Sequence, residues 1–386
     1  MKLNITNRKA VLTAIAALLL VIIAGCAVSA KEGNASKKPD SIAIMTWNVQ
    51  LLFDGAENGT EYDGFTSASG WNQEKYRGRL NVIAGAIGSM ERKPDIVALQ
   101  EIESAQVMAD LAAVLSSQGY RWTHFTVSPG MALGVGLLSR FPLEQERSHS
   151  VYVDGDVAPR PMLETRVIIP AAENENGETT TKSLALFVCH WKSKLGGEEE
   201  TESTRRASAR IIVRRLRELA ESEPNLPVIV MGDLNENHDE FYRRSGTAVS
   251  ALLPDDPQAA KRASLHDMDD APDATITNLQ KDFIVISKNK PPEAKHFPAG
   301  TTALYSPWDE ELKDGSYYYR SNWETIDHFL LSPQLFSGSG WNFKHCEVVN
   351  YPPYTNANGL PSAYNPRTGS GLSDHLPLLL FLQMQN

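Results

Sequence analysis

Pro227-Val228-Ile229-Val230-Met231-Gly232-Asp233-Leu234-Asn235 is the stretch on which the fold turns. An apolar, β-branched run this short reads as a buried strand. It stops on Asp233 and Asn235, and a strand end is where a rigid backbone can hold a polar side chain at the mouth of a cleft. The construction recurs along the chain. Thr46-Trp47-Asn48 lies at the end of the run Ile42 to Val49, Gln100-Glu101 ends the run begun at Asp95, and His190-Trp191-Lys192 follows Leu184 to Cys189. Ile326-Asp327-His328 opens a late strand, and Ser373-Asp374-His375 precedes the last one, Leu376 to Leu382.

Working outward, Gly134 to Leu138 and Met162 to Ile169 also read as strands. Tyr76, Leu80, Ile83 and Ile87 recur at helical spacing, with Pro94 closing that segment. Val107 to Leu115 and Thr204 to Ala220 are predicted helices, the second with Ile212, Leu216 and Leu219 on one face. Its arginines, Arg205, Arg206, Arg210, Arg214, Arg215 and Arg217, fall mostly off that face, which predicts a solvated surface. Residues 250–300 are rich in Pro, Asp, Ala and Lys and give weak signals. Short strands mixed with a few helices, without an internal repeat, predict α/β or α+β layers around a single core.

The chain has 386 residues, enough for one large core. Against 37 basic residues stand 47 acidic ones, so no global positive field gathers nucleic acid or anionic lipid. A phosphate-bearing substrate must therefore be held by a local site. No glycine-rich loop joins a strand to a helix, which argues against a nucleotide-dependent switch or kinase. At the N-terminus, Lys2, Arg8 and Lys9 precede the uncharged run Val11 to Ala24, and Ile23-Ala24-Gly25-Cys26 follows. The run is short for a membrane span and reads as a signal peptide over residues 1–25. Its ending resembles the bacterial lipobox, which implies cleavage before Cys26 and lipid attachment to its sulfur. Residues 26–40 then read as a flexible tether, and 41–386 as the folded domain. Cys189 sits in an apolar run and is expected as a buried free thiol, with no disulfide to Cys346.

One acid after a strand is commonly a cap or turn residue. Six polar strand boundaries together are a different matter. Carboxylates and amide oxygens are hard ligands suited to Mg²⁺, Mn²⁺ or Ca²⁺, and no Cys/His spacing of a structural zinc site is present. His190 and His375, the latter beside Asp374, supply groups that transfer protons near neutral pH.

These words, in this order, resemble the endonuclease/exonuclease/phosphatase superfamily, the deoxyribonuclease I-like enzymes. The resemblance rests on Thr46-Trp-Asn48-Val, Pro94-Asp-Ile-Val-Ala-Leu-Gln-Glu101, Val135-Gly-Leu-Leu-Ser-Arg140-Phe-Pro142 and His190-Trp-Lys-Ser-Lys194. It continues through Met231-Gly-Asp233-Leu-Asn235, Ile326-Asp327-His-Phe-Leu-Leu-Ser332 and Ser373-Asp374-His375-Leu-Pro377. It implies a four-layer αββα sandwich, two packed mixed β-sheets flanked by helices. It also implies roles: Glu101 as principal metal ligand with Asn48 and Asp374 beside it, Asp233 orienting or activating water, and Asn235 on a phosphate oxygen. His375, aligned by Asp327, would accept a proton or stabilise the transition state, and His190 would face the other side of the phosphate. Arg160 resembles a phosphate-contacting arginine. The element His190-Trp-Lys-Ser-Lys194 looks like that of secreted bacterial nucleases, whereas repair enzymes of the exonuclease III type usually lack such a His.

Where deoxyribonuclease I partners its first catalytic His with a Glu, Met131 to Gly134 carries no carboxylate. Tyr317, Tyr319 and Trp323 are expected to fill one sheet face. The reading that results is an exported, lipid-anchored, monomeric Mg²⁺-dependent phosphodiesterase cleaving DNA or RNA, facing the periplasm or the cell surface. A sphingomyelinase C-like phospholipid hydrolase and a non-catalytic surface adhesin are the alternatives.

Overall fold

The computed structural model describes residues 38–153, 155–173, 179–270 and 281–385. The expected signal peptide, Cys26 and nearly all of the tether lie outside the described residues. In chain order the first half comprises β1 (Ser41–Leu52), α1 (Gln73–Ser89), β2 (Ile96–Ile102), α2 (Ala105–Val114), β3 (Trp122–Thr126) and β4 (Gly134–Ser139). There follow β5 (Leu143–His149), a small ribbon of β6 (Tyr152–Val153) and β7 (Asp156–Val157), then β8 (Met162–Glu173) and β9 (Thr179–His190). The second half holds α3 (Glu198–Ser222), β10 (Val228–Asp233), α4 (Glu240–Arg243), β11 (Leu252–Pro254), α5 (Pro257–Asp270), β12 (Ile284–Ser287) and β13 (Ala303–Tyr305). It closes with β14 (Tyr317–Tyr319), β15 (Asn322–Glu324), β16 (Asp327–Leu331), β17 (Gly340–Val348) and β18 (Leu378–Gln385).

Two large sheets form, one of order β17-β18-β1-β2-β4-β3 and one of order β11-β12-β13-β16-β10-β9-β8-β5. Both mix parallel and antiparallel pairs. Strand alternation sorts the side chains into layers. Ile42 and Ile44 of β1, Ile96 and Ala98 of β2, Leu186 and Val188 of β9, and Ile229 and Met231 of β10 enter one core between the sheets. The intervening residues face outward into two further cores. Met45, Trp47, Val97 and Leu99 meet the apolar faces of α1 and α2. Phe187, Cys189, Val228 and Val230 meet Ile212, Val213 and Leu216 of α3. Because the central strands are covered on both faces, their sequences are apolar without interruption. This is the α/β four-layer sandwich expected from the sequence.

Local signals fix the helices. The Asn72 side chain accepts from the amides of Glu74 and Lys75 to start α1, and Ser104 Oγ accepts from Val107 N to start α2. The structure corrects two expectations. Residues 250–300, weak in sequence signal, carry regular elements: β11 and β12 extend the second sheet, and α5 packs with them around a satellite core of Phe241, Leu253, Phe283 and Val285. On α3, Arg210 and Arg214 are exposed as expected, but Arg205, Arg206 and Arg215 are largely buried against Glu202, Glu236, Asp282 and Glu164. Apart from Glu202, one turn away on α3 itself, the acids that neutralise them come from other elements, which a helical wheel does not reveal. Cys189 and Cys346 are both buried free thiols.

Candidate active site

The alternation that builds the core also builds the site. Asn48 continues the face of Ile42 and Ile44, His190 that of Leu186 and Val188, and Asp233 that of Ile229 and Met231. Each strand therefore runs past the end of the apolar core with its next inward position polar. Register completes the arrangement: Asp233 on β10 lies beside His190 on parallel β9 and beside Asp327 on antiparallel β16. In the facing sheet Asn48 lies beside Gln100. Glu101 has the wrong parity for this face. A register shift at Gln100 and a φ of 65° at Glu101 turn its side chain into the cleft. Asn235, at φ 50°, is a second non-glycine residue in the left-handed region, and such conformations persist only where the surroundings enforce them.

The side chains converge across the two sheets. Asn48 Nδ2 donates to Glu101 Oε1 at 3.2 Å and to Asp233 Oδ2 at 3.1 Å. His190 Nε2 lies 3.4 Å from Asp233 Oδ2 and 3.9 Å from Glu101 Oε1. The carboxylate beside His190 thus comes from the site itself, by strand register. His375 Nδ1 is 2.8 Å from Asp327 Oδ2, with its Nε2 4.0 Å from Asp233 Oδ2. Asn235 N donates to Asp233 Oδ1 at 3.0 Å, and Asn235 Nδ2 donates to the Trp191 carbonyl at 3.2 Å. The Arg160 guanidinium donates to the same carbonyl. Asp374 follows Ser373, whose hydroxyl donates to Asn48 O at 2.6 Å.

Several supports carry no signal in the sequence. Gln50 Oε1 accepts from Asp374 N at 3.1 Å and from Tyr364 N at 2.6 Å. Ser316 Oγ donates to Asp327 Oδ2 at 2.6 Å, Trp308 Nε1 to Asp327 O at 3.0 Å, and Trp47 Nε1 to His375 O at 3.0 Å. Of the aromatics before Asp327, Trp323 packs partly buried against the core on the outer face of the first sheet, but the tyrosines do not fill a face of the main sheets. They form the separate ribbon β14-β15, where Tyr317 stacks on His375 with ring centroids 4.5 Å apart and Tyr319 stands 48% exposed.

Electrostatics divides the groups. Burial pushes Asp233 up, yet His190, His375 and Arg160 outweigh it and hold this carboxyl well below the usual range. Burial pulls His375 down, but Asp327, Asp233 and Asp374 prevail and raise it to about 10, so the imidazole is a cation at neutral pH. Burial raises Asp374, and repulsion from Glu101 and Asp233 adds to the effect. Glu101 and Asp374 have no Lys or Arg within 4.0 Å among the described residues. Two hard carboxylates that repel each other, with an amide alongside, are donor types suited to a divalent cation. Among the described residues no group of three or more His, Cys, Asp or Glu side chains is placed to hold a metal ion by itself.

Behind Asn235 lies a buried charge network. Arg205, 0% exposed, donates to Glu236 Oε2 at 2.8 Å, Glu202 Oε2 at 2.7 Å and the Glu198 carbonyl at 2.9 Å. Glu202 Oε1 in turn accepts from Ala251 N. Replacing Arg205 by Met strands two buried carboxylates and is expected to cost about 3 kcal/mol or more of stability, read by urea denaturation. Gly232 is the other structural constraint. Its φ is 131°, and a Cβ there would lie 1.9 Å from the Cys189 carbonyl oxygen. Gly232→Ala is expected to lose at least ~2 kcal/mol in the same assay, with Asp233 displaced and activity falling in parallel.

Residues 42–250, more than half of the chain, match the Endonuclease/Exonuclease/phosphatase family. No curated protein matches the sequence. Similar solved structures include truncated TDP2 of Caenorhabditis elegans, 13% identical, covering 89% of this chain and 97% of that one with a TM-score of 0.48. An endonuclease/exonuclease/phosphatase family protein of Bacteroides thetaiotaomicron is 16% identical, with coverages of 90% and 100% and a TM-score of 0.46. The human Nocturnin catalytic domain with bound sulfate is 16% identical, with coverages of 89% and 95% and a TM-score of 0.45. The family match extends over β1, β2, β4, β9 and β10, the strands that carry Asn48, Glu101, His190 and Asp233, and so the chain belongs to the endonuclease/exonuclease/phosphatase family, whose enzymes are metal-dependent phosphodiester hydrolases.

Proposed function

We propose that the protein is a Mg²⁺-dependent nuclease that hydrolyses DNA or RNA outside the cytoplasm. The observation that favours nucleic acid is the aromatic column rising from the site. The Tyr317 ring lies 28° from the plane of His375, Tyr319 lies 15° from Tyr317, and the Arg320 guanidinium stands 5.1 Å over Tyr319. A half-exposed tyrosine with a guanidinium beside its ring, one ring removed from a catalytic imidazole, offers stacking and positive charge to a nucleotide flanking the scissile phosphate.

In this reading Asn48, Glu101 and Asp374 would hold Mg²⁺, or Mn²⁺ or Ca²⁺ in its place, and the bound ion would supply positive charge to the phosphate oxygens and the leaving group. Asp233, kept ionised, aims the attacking water in line and receives its proton. Its two oxygens are fixed by Asn48 and by the Asn235 amide, so little reorganisation is needed. Asn235 and His190 approach the phosphate from the β9-β10 side. His375, charged and braced by Asp327, places positive charge on the oxygens in the transition state.

The enzyme is further proposed to be a monomer exported by residues 1–25 and tethered by a lipid on Cys26 through residues 26–40, on the periplasmic face or the cell surface. Incorporation of labelled palmitate, absent in Cys26→Ala, tests the anchor. For the activity, the purified full chain is incubated with plasmid DNA, RNA and sphingomyelin in Mg²⁺, Mn²⁺ or EDTA. Metal-dependent cleavage of nucleic acid is expected. Turnover of sphingomyelin alone would replace this reading with a phospholipase.

A further inference from the structure

Two cations beside the site form no ion pair with a carboxylate among the described residues. Lys192 lies two positions after His190, the last residue of β9, and its ammonium has a single acceptor, the Leu195 carbonyl at 3.4 Å. Arg160 shares the Trp191 carbonyl with Asn235, and its charge helps to hold Asp233 ionised. Among the described residues neither has a carboxylate within 4.0 Å. Neighbouring cations along the same edge are paired: Lys194 with Glu240, Arg205 with Glu202 and Glu236, Arg244 with Glu202. Lys192 also feels its neighbours, since burial, then Arg160, then Arg205 pull its pKa down. An acidic protein that leaves two mutually repelling cations unpaired next to a phosphodiester site has a place for a second anion.

The scissile phosphate does not fill that place, because His190, Asn235 and His375 already address its oxygens in the proposed mechanism. We propose that Arg160 and Lys192 form a second phosphate subsite, which binds the phosphate adjoining the scissile one. The inference rests on the nuclease reading and deepens it: the enzyme is built for successive phosphodiesters. A phospholipid such as sphingomyelin offers one phosphate and a cationic headgroup, which these two side chains would repel.

The test uses the full chain and three thymidine dinucleotides carrying a 5′-phosphate, a 3′-phosphate or neither. One phosphorylated dinucleotide is expected to be preferred over the bare one by about tenfold in kcat/KM, the worth of one charge-assisted hydrogen bond. Lys192→Met should erase most of that preference and Lys192→Arg should restore it. A second readout needs no turnover. Binding of a fluorescein-labelled oligothymidylate in EDTA is titrated with KCl, and each of Lys192→Met and Arg160→Met should reduce the log–log salt slope by about 0.7. An unchanged melting temperature shows that the variants are folded. Equal cleavage of all three dinucleotides, or a salt slope untouched by both variants, overturns the subsite and leaves the nuclease reading intact. Hydrolysis of sphingomyelin with no cleavage of any dinucleotide or of plasmid overturns both.

Discussion

His375→Ala is expected to lower kcat by about 10³–10⁴-fold with little change in KM. The reason lies in where the imidazole gets its charge. Asp327 is almost fully buried, and its Oδ2 is occupied by the Ser316 hydroxyl and by His375 Nδ1. The imidazole is thereby locked in one orientation with Nε2 toward Asp233. Positive charge fixed in this way acts on the oxygens of the transition state, where charge accumulates, more than on the ground-state diester. Asp327→Asn leaves the shape of the pocket but removes the charge that raises His375, and its loss should approach that of His375→Ala. The double variant should be hardly worse than either single one, because the two side chains act as a unit. Initial rates over a substrate titration check this. Losses that multiply in the double variant would separate the pair, and a rise in KM alone would make His375 a binding group only.

The layers and most of the site were legible because one physical rule wrote both. Strands buried on two faces are apolar at every position, so the point where each apolar run ends in Asn48, Glu101, His190 or Asp233 is visible in a single sequence. What stayed hidden depends on contacts between distant segments. Nothing near Arg205 announces that Glu236, thirty-one positions on, will bury with it. β11, β12 and β13 have three or four residues each, too few for a periodicity to register. The turn of the β14-β15 ribbon uses Arg320 and Ser321 at φ 47° and 67°, where Asn-Gly would have marked a hairpin. Without that mark, the sequence points the tyrosines to a sheet face. Gln50 is the clearest case: an ordinary polar residue whose side chain orders the Asp374 backbone only because β1 and the segment before β18 meet.

Glu101→Gln separates metal binding from the rest of the machinery, and its effects on activity and on stability have opposite signs. Glutamine keeps the length of the side chain and has the same backbone freedom as glutamate at φ 65°, so the substitution removes charge without removing shape. In the native protein Glu101 Oε1 accepts from Asn48 and Oε2 from Leu51 N at 3.0 Å; one amide oxygen can replace only part of this. A neutral residue leaves Asp374 and Asn48 as the remaining proposed ligands, and hydrolysis in Mg²⁺ should fall by about 10³-fold or more. Without metal the outcome reverses. Glu101 adds to the repulsion that raises Asp374, so Glu101→Gln should melt higher than wild type in EDTA. Adding Mg²⁺ at a hundred times its dissociation constant should stabilise wild type by about 2.7 kcal/mol and leave the variant nearly unmoved. The two melting curves then exchange order as metal is titrated. That crossing is the diagnostic result, since a residue that merely supported the fold would lower both curves, and a residue remote from the cation would leave the metal-induced shift intact.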